Sequence, residues 1–197
     1  MSMDEKLNSL QRADRVVHPT QETKSLAHIK DYETEYAKSI ADPETFWAGV
    51  ANELEWFTPW NTVLEWKYPW AKWFVGGKCN ISYNCLDRHV RTWRKNKVAV
   101  MWVGETGDER VFTYGELYRQ VNRCANALKA LGLRQGDRVT IYLPKIPEQI
   151  VAMLACARIG VIHSVVYSGF SAPALASRIQ DAEARLVITA DVGYDRG

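Results

Sequence analysis

From Lys97 to Asp191, apolar runs of strand length alternate with amphipathic stretches, and this alternation constrains the fold more than any other feature. KVAVMWVGE (97–105), RVTIYLP (138–144), VIHSVVY (161–167) and RLVITAD (185–191) read as strands rich in Val and Ile. Between them, Leu117, Val121, Cys124, Leu128 and Leu131 recur at helical spacing. Thr113 and Glu116 stand at capping-box positions ahead of that helix, and Gly132 suits the residue just past its end. Pro147 opens a second helix that stops at Gly160, and Ser171 is placed to cap a third over 172–184. Strands and helices in strict alternation with short connections predict an α/β fold, a parallel sheet covered by helices. The nearly continuous apolar strands agree, because parallel strands are buried on both faces. Ligands of such sheets sit beyond the carboxyl ends of the strands. The segments 143–147, 167–171 and 191–197 are therefore the ones to watch.

The chain ahead of Lys97 reads differently. Residues 1–24 are polar and aperiodic, an arm. Residues 25–41 predict one helix, with Leu26, Ile29, Tyr32, Tyr36 and Ile40 along a face. Asp42-Pro43 signals another, over 43–54, with Phe46, Trp47, Val50 and Leu54 aligned. Pro59, Pro69 and Gly76-Gly77 break up residues 55–80, where turns and short strands wrapped by aromatics are expected. Residues 84–95 predict a helix with Leu86, Val90 and Trp93 inward. Six of the eight tryptophans fall between Trp47 and Trp73. They are read as packing residues rather than a ligand groove, because the segment supplies no convergent polar groups.

Composition excludes several classes. The 25 basic and 23 acidic side chains give a net charge of +2 with no basic stripe, so no nucleic-acid partner is expected. No apolar run approaches a membrane span, and the first residues lack the apolar core of a secretory signal. A cytoplasmic protein without a membrane partner is the expectation. Cys79, Cys85, Cys124 and Cys156 show no paired metal spacing and are expected as free thiols. His18, His28, His89 and His163 are read as structural, and no metal site or catalytic residue is proposed. The phosphate-loop, dinucleotide-binding and nucleophile-elbow patterns do not occur. What remains is the small loop Ser168–Ser171, whose Gly169 lets backbone approach a flat ring or a phosphate, and Arg196 after the last strand.

Specific stretches resemble a known family. PETFWAGVANELEWFTPWNTVLEW (43–66), GGKCNISYNCLDRHV (76–90), WVGE (102–105) and the run FTYGEL to VITAD (112–191) are similar to the N-terminal region of AMP-forming acetyl-CoA synthetases, which are acyl-adenylate-forming enzymes. The resemblance covers about residues 30–197. It implies a Trp-rich, mainly helical synthetase N-terminal region over 25–96. It implies an incomplete first part of the AMP-binding α/β domain over 97–197. The implied reaction joins acetate to ATP, forming acetyl-adenylate and pyrophosphate, and then lets the CoA thiol displace AMP. The family's phosphate loop, nucleotide segments and catalytic lysine lie downstream, so ATP and Mg would serve the complete enzyme only. The resemblance leaves this chain part of the CoA site: Tyr167, Ser168 and Gly169, with Arg196 and Gly197 toward the 3′-phosphate. Two readings stay open. One is an N-terminal portion that is inactive alone and pairs with a separate C-terminal polypeptide of the same enzyme. The other is a non-catalytic accessory subunit, or a CoA- or nucleotide-binding module, beside a separate catalytic chain.

Overall fold

The computed structural model describes residues 16–193, which fall into two compact units, one ending at Ala51 and one beginning at Asn52. In the first unit, α1 (Gln21–Leu26) starts where the Thr20 hydroxyl accepts the Thr23 N–H at 3.1 Å. Part of the expected polar arm is thus helical, and its first fifteen residues lie outside the described ones. The single helix expected over 25–41 is broken. Ala27 is extended, and α2 (Tyr32–Ala41) begins afresh because the Asp31 carboxylate accepts the Thr34 N–H at 3.2 Å. A short polar side chain that caps one helix cannot also sit inside another. Asp42 caps α3 (Pro43–Ala51) through Thr45, as the Asp-Pro pair implied. The stripe of α1 and α2 is exposed, from Leu26 to Ile40, and neither helix has a buried residue.

The second unit opens with an antiparallel hairpin, β1 (Thr62–Lys67) and β2 (Trp70–Val75), in the register Leu64↔Trp73 and Trp66↔Ala71. Trp60 packs edge to face on both Trp56 and Phe74, and Trp56 meets Phe74 at a tilt, with ring centroids 5.0–5.5 Å apart. Trp66 and Trp70 instead stand in solvent. Of the six clustered tryptophans only Trp47 lies on a helix, so the Trp-rich region is not the helical layer expected. The helix expected over 84–95 comes as three pieces: a π-helical turn (Tyr83–Asp87), α4 (Arg88–Val90) and a 3₁₀ turn (Trp93–Asn96). Leu86 is buried as expected, but extended Thr92 restarts the chain and turns Trp93 outward, 72% exposed, under Arg94 and Lys97.

β3 (Val98–Val103) does not join the parallel sheet. It pairs antiparallel with β4 (Glu109–Thr113), a strand the sequence reading missed, around a turn closed by the Gly104 N–H to Asp108 carbonyl bond. Phe112 is the one buried residue of β4, too little for a period-two signal. α5 (Tyr114–Ala130) carries the capping box in full: Thr113 Oγ1 accepts the Glu116 N–H at 3.2 Å, and Glu116 Oε2 accepts the Thr113 N–H at 2.8 Å. Its far end is a Schellman closure around Gly132, φ +87°, with the Leu133 N–H on the Leu128 carbonyl. That closure turns Leu131 into solvent and seats Leu133 in the core, against the expected stripe.

β5 (Arg138–Tyr142), α6 (Pro147–Arg158), β6 (Ile162–Val165), α7 (Ala172–Asp181) and β7 (Leu186–Thr189) then complete a parallel sheet in the order β6-β5-β7. Ser171 stands at the start of α7 as expected, but its hydroxyl makes no capping bond. The core joins Leu117, Val121 and Leu128 of α5 to Val139 and Ile141 of β5 and to Ala155 and Cys156 of α6. Asp87 and Arg158 form a shielded, two-stranded ion pair (Oδ2–Nη2 2.5 Å, Oδ1–Nη1 3.2 Å) that fastens the π-helical turn to α6. At the amino ends of the strands, Asp137–Arg185 and Arg138–Glu183 tie β5 to the approach of β7.

Candidate functional site

In the order β6-β5-β7 the chain steps from the central strand β5 to β6 through α6 and then crosses back over β5 to β7 through α7, so the two crossovers run in opposite directions. That is the arrangement that opens a crevice at the carboxyl ends of the strands. A cavity of about 510 Å³ lies there. Pro144, Lys145 and Ile146 after β5 line it, as do Tyr167 and Ser168 after β6 and Val192 and Gly193 after β7. The turn of the β3–β4 hairpin supplies the facing wall, with Trp102, Glu105 and Asp108. A smaller hollow of about 170 Å³ adjoins it, between Tyr142, Pro144, Ser168 and Asp191.

Two hydrogen bonds fix these walls. The Tyr142 hydroxyl reaches the carbonyls of Ser168 (2.8 Å) and Phe170 (3.0 Å), so its single proton is shared between two points of the loop. The Trp102 indole N–H donates to the Lys145 carbonyl at 2.6 Å, binding the hairpin to the loop after β5. Tyr167 meets Phe170 edge to face at 5.9 Å, and Arg178 covers Phe170 at 4.4 Å. The Tyr167 ring lies so close over Gly169 that a Cβ there would fall 2.6 Å from it, so the position admits only glycine without displacing the ring. Tyr167 nonetheless keeps 46% of its surface open. The ionisable lining is mixed, with Lys145 against Glu105 and Asp108. Among the described residues no three His, Cys, Asp or Glu side chains converge as metal ligands.

Tyr167 and Ser168 thus come together at one wall, Gly169 lies beneath the Tyr167 ring and outside the lining, and Arg196 and Gly197 lie outside the described residues. Trp102, Glu105 and Asp108 belong to no site motif in the sequence, and their place in the lining follows from a hairpin that the sequence reading does not contain. The Gly107-Asp108 turn pair was the signal that a second strand follows.

An AMP-binding enzyme model matches residues 86–196, more than half of the sequence, and the chain belongs to that family. A model of the acetyl-coenzyme A synthetase N-terminus matches residues 32–85. The chain is similar to the acetyl-coenzyme A synthetase of Chlorobaculum tepidum, 47% identical over 98% of this chain and 30% of that protein. It is similar to those of Deinococcus radiodurans (49% identical over 97% of this chain, 30% of that protein) and Gemmatimonas aurantiaca (52%, over 97% and 29%). The chain therefore spans about 30% of the length of these curated relatives. No helix among the described residues is long and apolar enough to cross a membrane.

Proposed function

We propose that the chain acts as the N-terminal portion of an acetyl-CoA synthetase, supplying scaffold and one wall of the coenzyme A site. The similarity to acetyl-coenzyme A synthetases at about half identity over nearly the whole chain carries this reading. In the complete enzyme a carboxylate oxygen of acetate attacks the α-phosphorus of ATP and pyrophosphate leaves. The thiol sulfur of CoA then attacks the acetyl carbon, AMP departs with the electron pair, and the thioester remains. Magnesium, when bound, neutralises phosphate charge in the first step. It belongs in this reading to the remainder of the synthetase, with the phosphate loop that the resemblance places downstream.

The residues present suit the purine end of CoA. The half-open Tyr167 ring offers a stacking face, Gly169 leaves room for that ring to lie over it, and Lys145 supplies a cation in the lining of the crevice. Arg196 and Gly197 would extend the site toward the 3′-phosphate. The chain alone holds no phosphate loop and is expected to be inactive, with a separate C-terminal polypeptide of the same enzyme as its partner.

The test is complementation. This chain is combined with the part of the Chlorobaculum tepidum synthetase beyond its matched region, and pyrophosphate release from acetate and ATP is measured. No release is expected from the chain alone, and acetyl-CoA formation from the pair. Stacking on an aromatic side chain is worth about 1–3 kcal/mol, so Tyr167→Ala should raise the KM for CoA roughly 5- to 150-fold and leave CoA-independent pyrophosphate release unchanged. Release by the chain alone, or an inactive pair, would reject the proposal.

A further inference from the structure

A second hollow shares no residue with the crevice. It is a trough of about 800 Å³ lined by Ile81, Leu86, Val100, Ile150, Met153 and Leu154, with Cys79 and Cys85 on its wall. It is open to water: Ile81 is 66% exposed, and both thiols are exposed. Apolar surface gathered in a groove marks a place where something else packs.

The trough borders a hollow of about 570 Å³ at two shared residues, His89 and Tyr114, whose rings lie 5.0 Å apart. Arg94 and Lys97 line this second hollow. Neither has a carboxylate within ion-pair distance among the described residues. Arg94 reaches only the His89 ring, at 3.4 Å, and both cations rest against the exposed Trp93. Burial and the cations Arg88 and Arg94 hold His89 below its ordinary pKa, which keeps it neutral beside them. Glu55 acts on His89 from the other side but is engaged with the Tyr83 hydroxyl. The Arg88 guanidinium is held by the Glu53 carbonyl at 2.6 Å. An apolar trough thus ends in two unmatched positive charges.

We infer that the trough and its basic mouth seat a further stretch of the same synthetase, an apolar segment with a carboxylate at one end that pairs with Arg94 and Lys97. The inference rests on the proposed function. Charge complementarity names the acidic end. The relatives' length names the source, since 98% of this chain answers to only 30% of the Chlorobaculum tepidum protein. Two open, adjoining hollows suit an extended polypeptide better than a small ligand, which prefers a closed pocket.

Thiol footprinting of the complementation pair tests it. N-ethylmaleimide should label Cys79 and Cys85 quickly in the chain alone and slower by roughly an order of magnitude or more in the complex. Cys156, whose thiol burial raises to about 11 with Cys124 adding to the shift, should be slow in both and serves as the internal standard. The double variant R94E/K97E should weaken association roughly tenfold or more at low salt, and less at high salt. A complex that releases pyrophosphate while Cys79 and Cys85 stay fast overturns the inference and leaves the proposed function standing. Absence of both complex and pyrophosphate overturns both. Two further results on the chain alone also overturn the inference: thiols that are already slow, and protection by laurate equal to that given by the polypeptide, which would make the trough a site for an anionic amphiphile.

Discussion

The strand Arg138–Tyr142 and the hairpin Thr62–Val75 are both rich in large apolar side chains and use them in opposite ways. In the strand, Val139, Thr140 and Ile141 are fully buried, with a parallel neighbour on either edge. In the hairpin, Trp66 and Trp70 remain 65% and 75% exposed. The side chains do not explain the difference, since indole is the larger apolar group. Neighbours do. A central parallel strand is flanked on both edges and packed on both faces, whereas each strand of a two-stranded hairpin has one partner. Apolarity in sequence therefore marks a potential for burial that topology realises or leaves unused.

Truncation at matched positions is the sharpest way to break this comparison. Ile141→Ala should cost about 4 kcal/mol through the cavity it leaves, read as a lowered urea midpoint at unchanged slope. Trp70→Ala should cost less than about 0.5 kcal/mol although it removes more atoms. Equal losses would mean that the hairpin is packed as tightly as the sheet. The Asp87–Arg158 pair is the next largest effect. Its side chains are 13% and 19% exposed. Asp87→Ala should lower stability by about 3 kcal/mol by leaving Arg158 with an unmatched charge, and the double change to uncharged residues should recover part of it.

A smaller effect than either the Ile141 or the Asp87 change concerns the entry to α5. Thr113→Ala should cost about 1 kcal/mol in the same urea titration. It should also flatten the acid limb of the melting temperature slightly, because the variant loses the side-chain bond to Glu116 and keeps the larger backbone one. Hydrogen bonds from the Thr113 backbone and side chain hold the Glu116 carboxyl below its ordinary 4.5. A depressed carboxylate contributes stability that is complete above the unfolded value and is lost as pH falls through the folded one. Wild type should therefore lose more melting temperature than the variant between pH 5 and the acid end of the scan, about pH 2–3. Parallel limbs would show that the bond is not made in solution.

Much of the second half was legible because its signals are local. Thr113 with Glu116, Gly132 and Pro147 fix helix ends by chemistry within a few residues, and the parallel strands are rich in Val and Ile. The front was harder for the same reason in reverse. Asp31 and Thr92 interrupt helices whose apolar spacing continues straight across them, and Tyr83–Asp87 widens into a π turn with no distinguishing residue. β3 reads as a buried strand from its valines, yet its pairing is decided by a partner with one buried residue. The same gap hid half of the crevice. Tyr167, Ser168 and Gly169 follow directly from the sheet reading. Trp102 reaches Lys145 across 43 positions of sequence, a contact no local pattern encodes.

The shared proton of Tyr142 has a consequence for how the crevice works. A loop pinned at two carbonyls to a buried strand has few conformations left to lose when a ligand arrives, so its ordering entropy is spent in folding rather than in binding. Ligand affinity and fold integrity are then coupled through one phenol. On the proposed function, a change that loosens β5 would weaken capture at the crevice even where it touched no atom of the ligand.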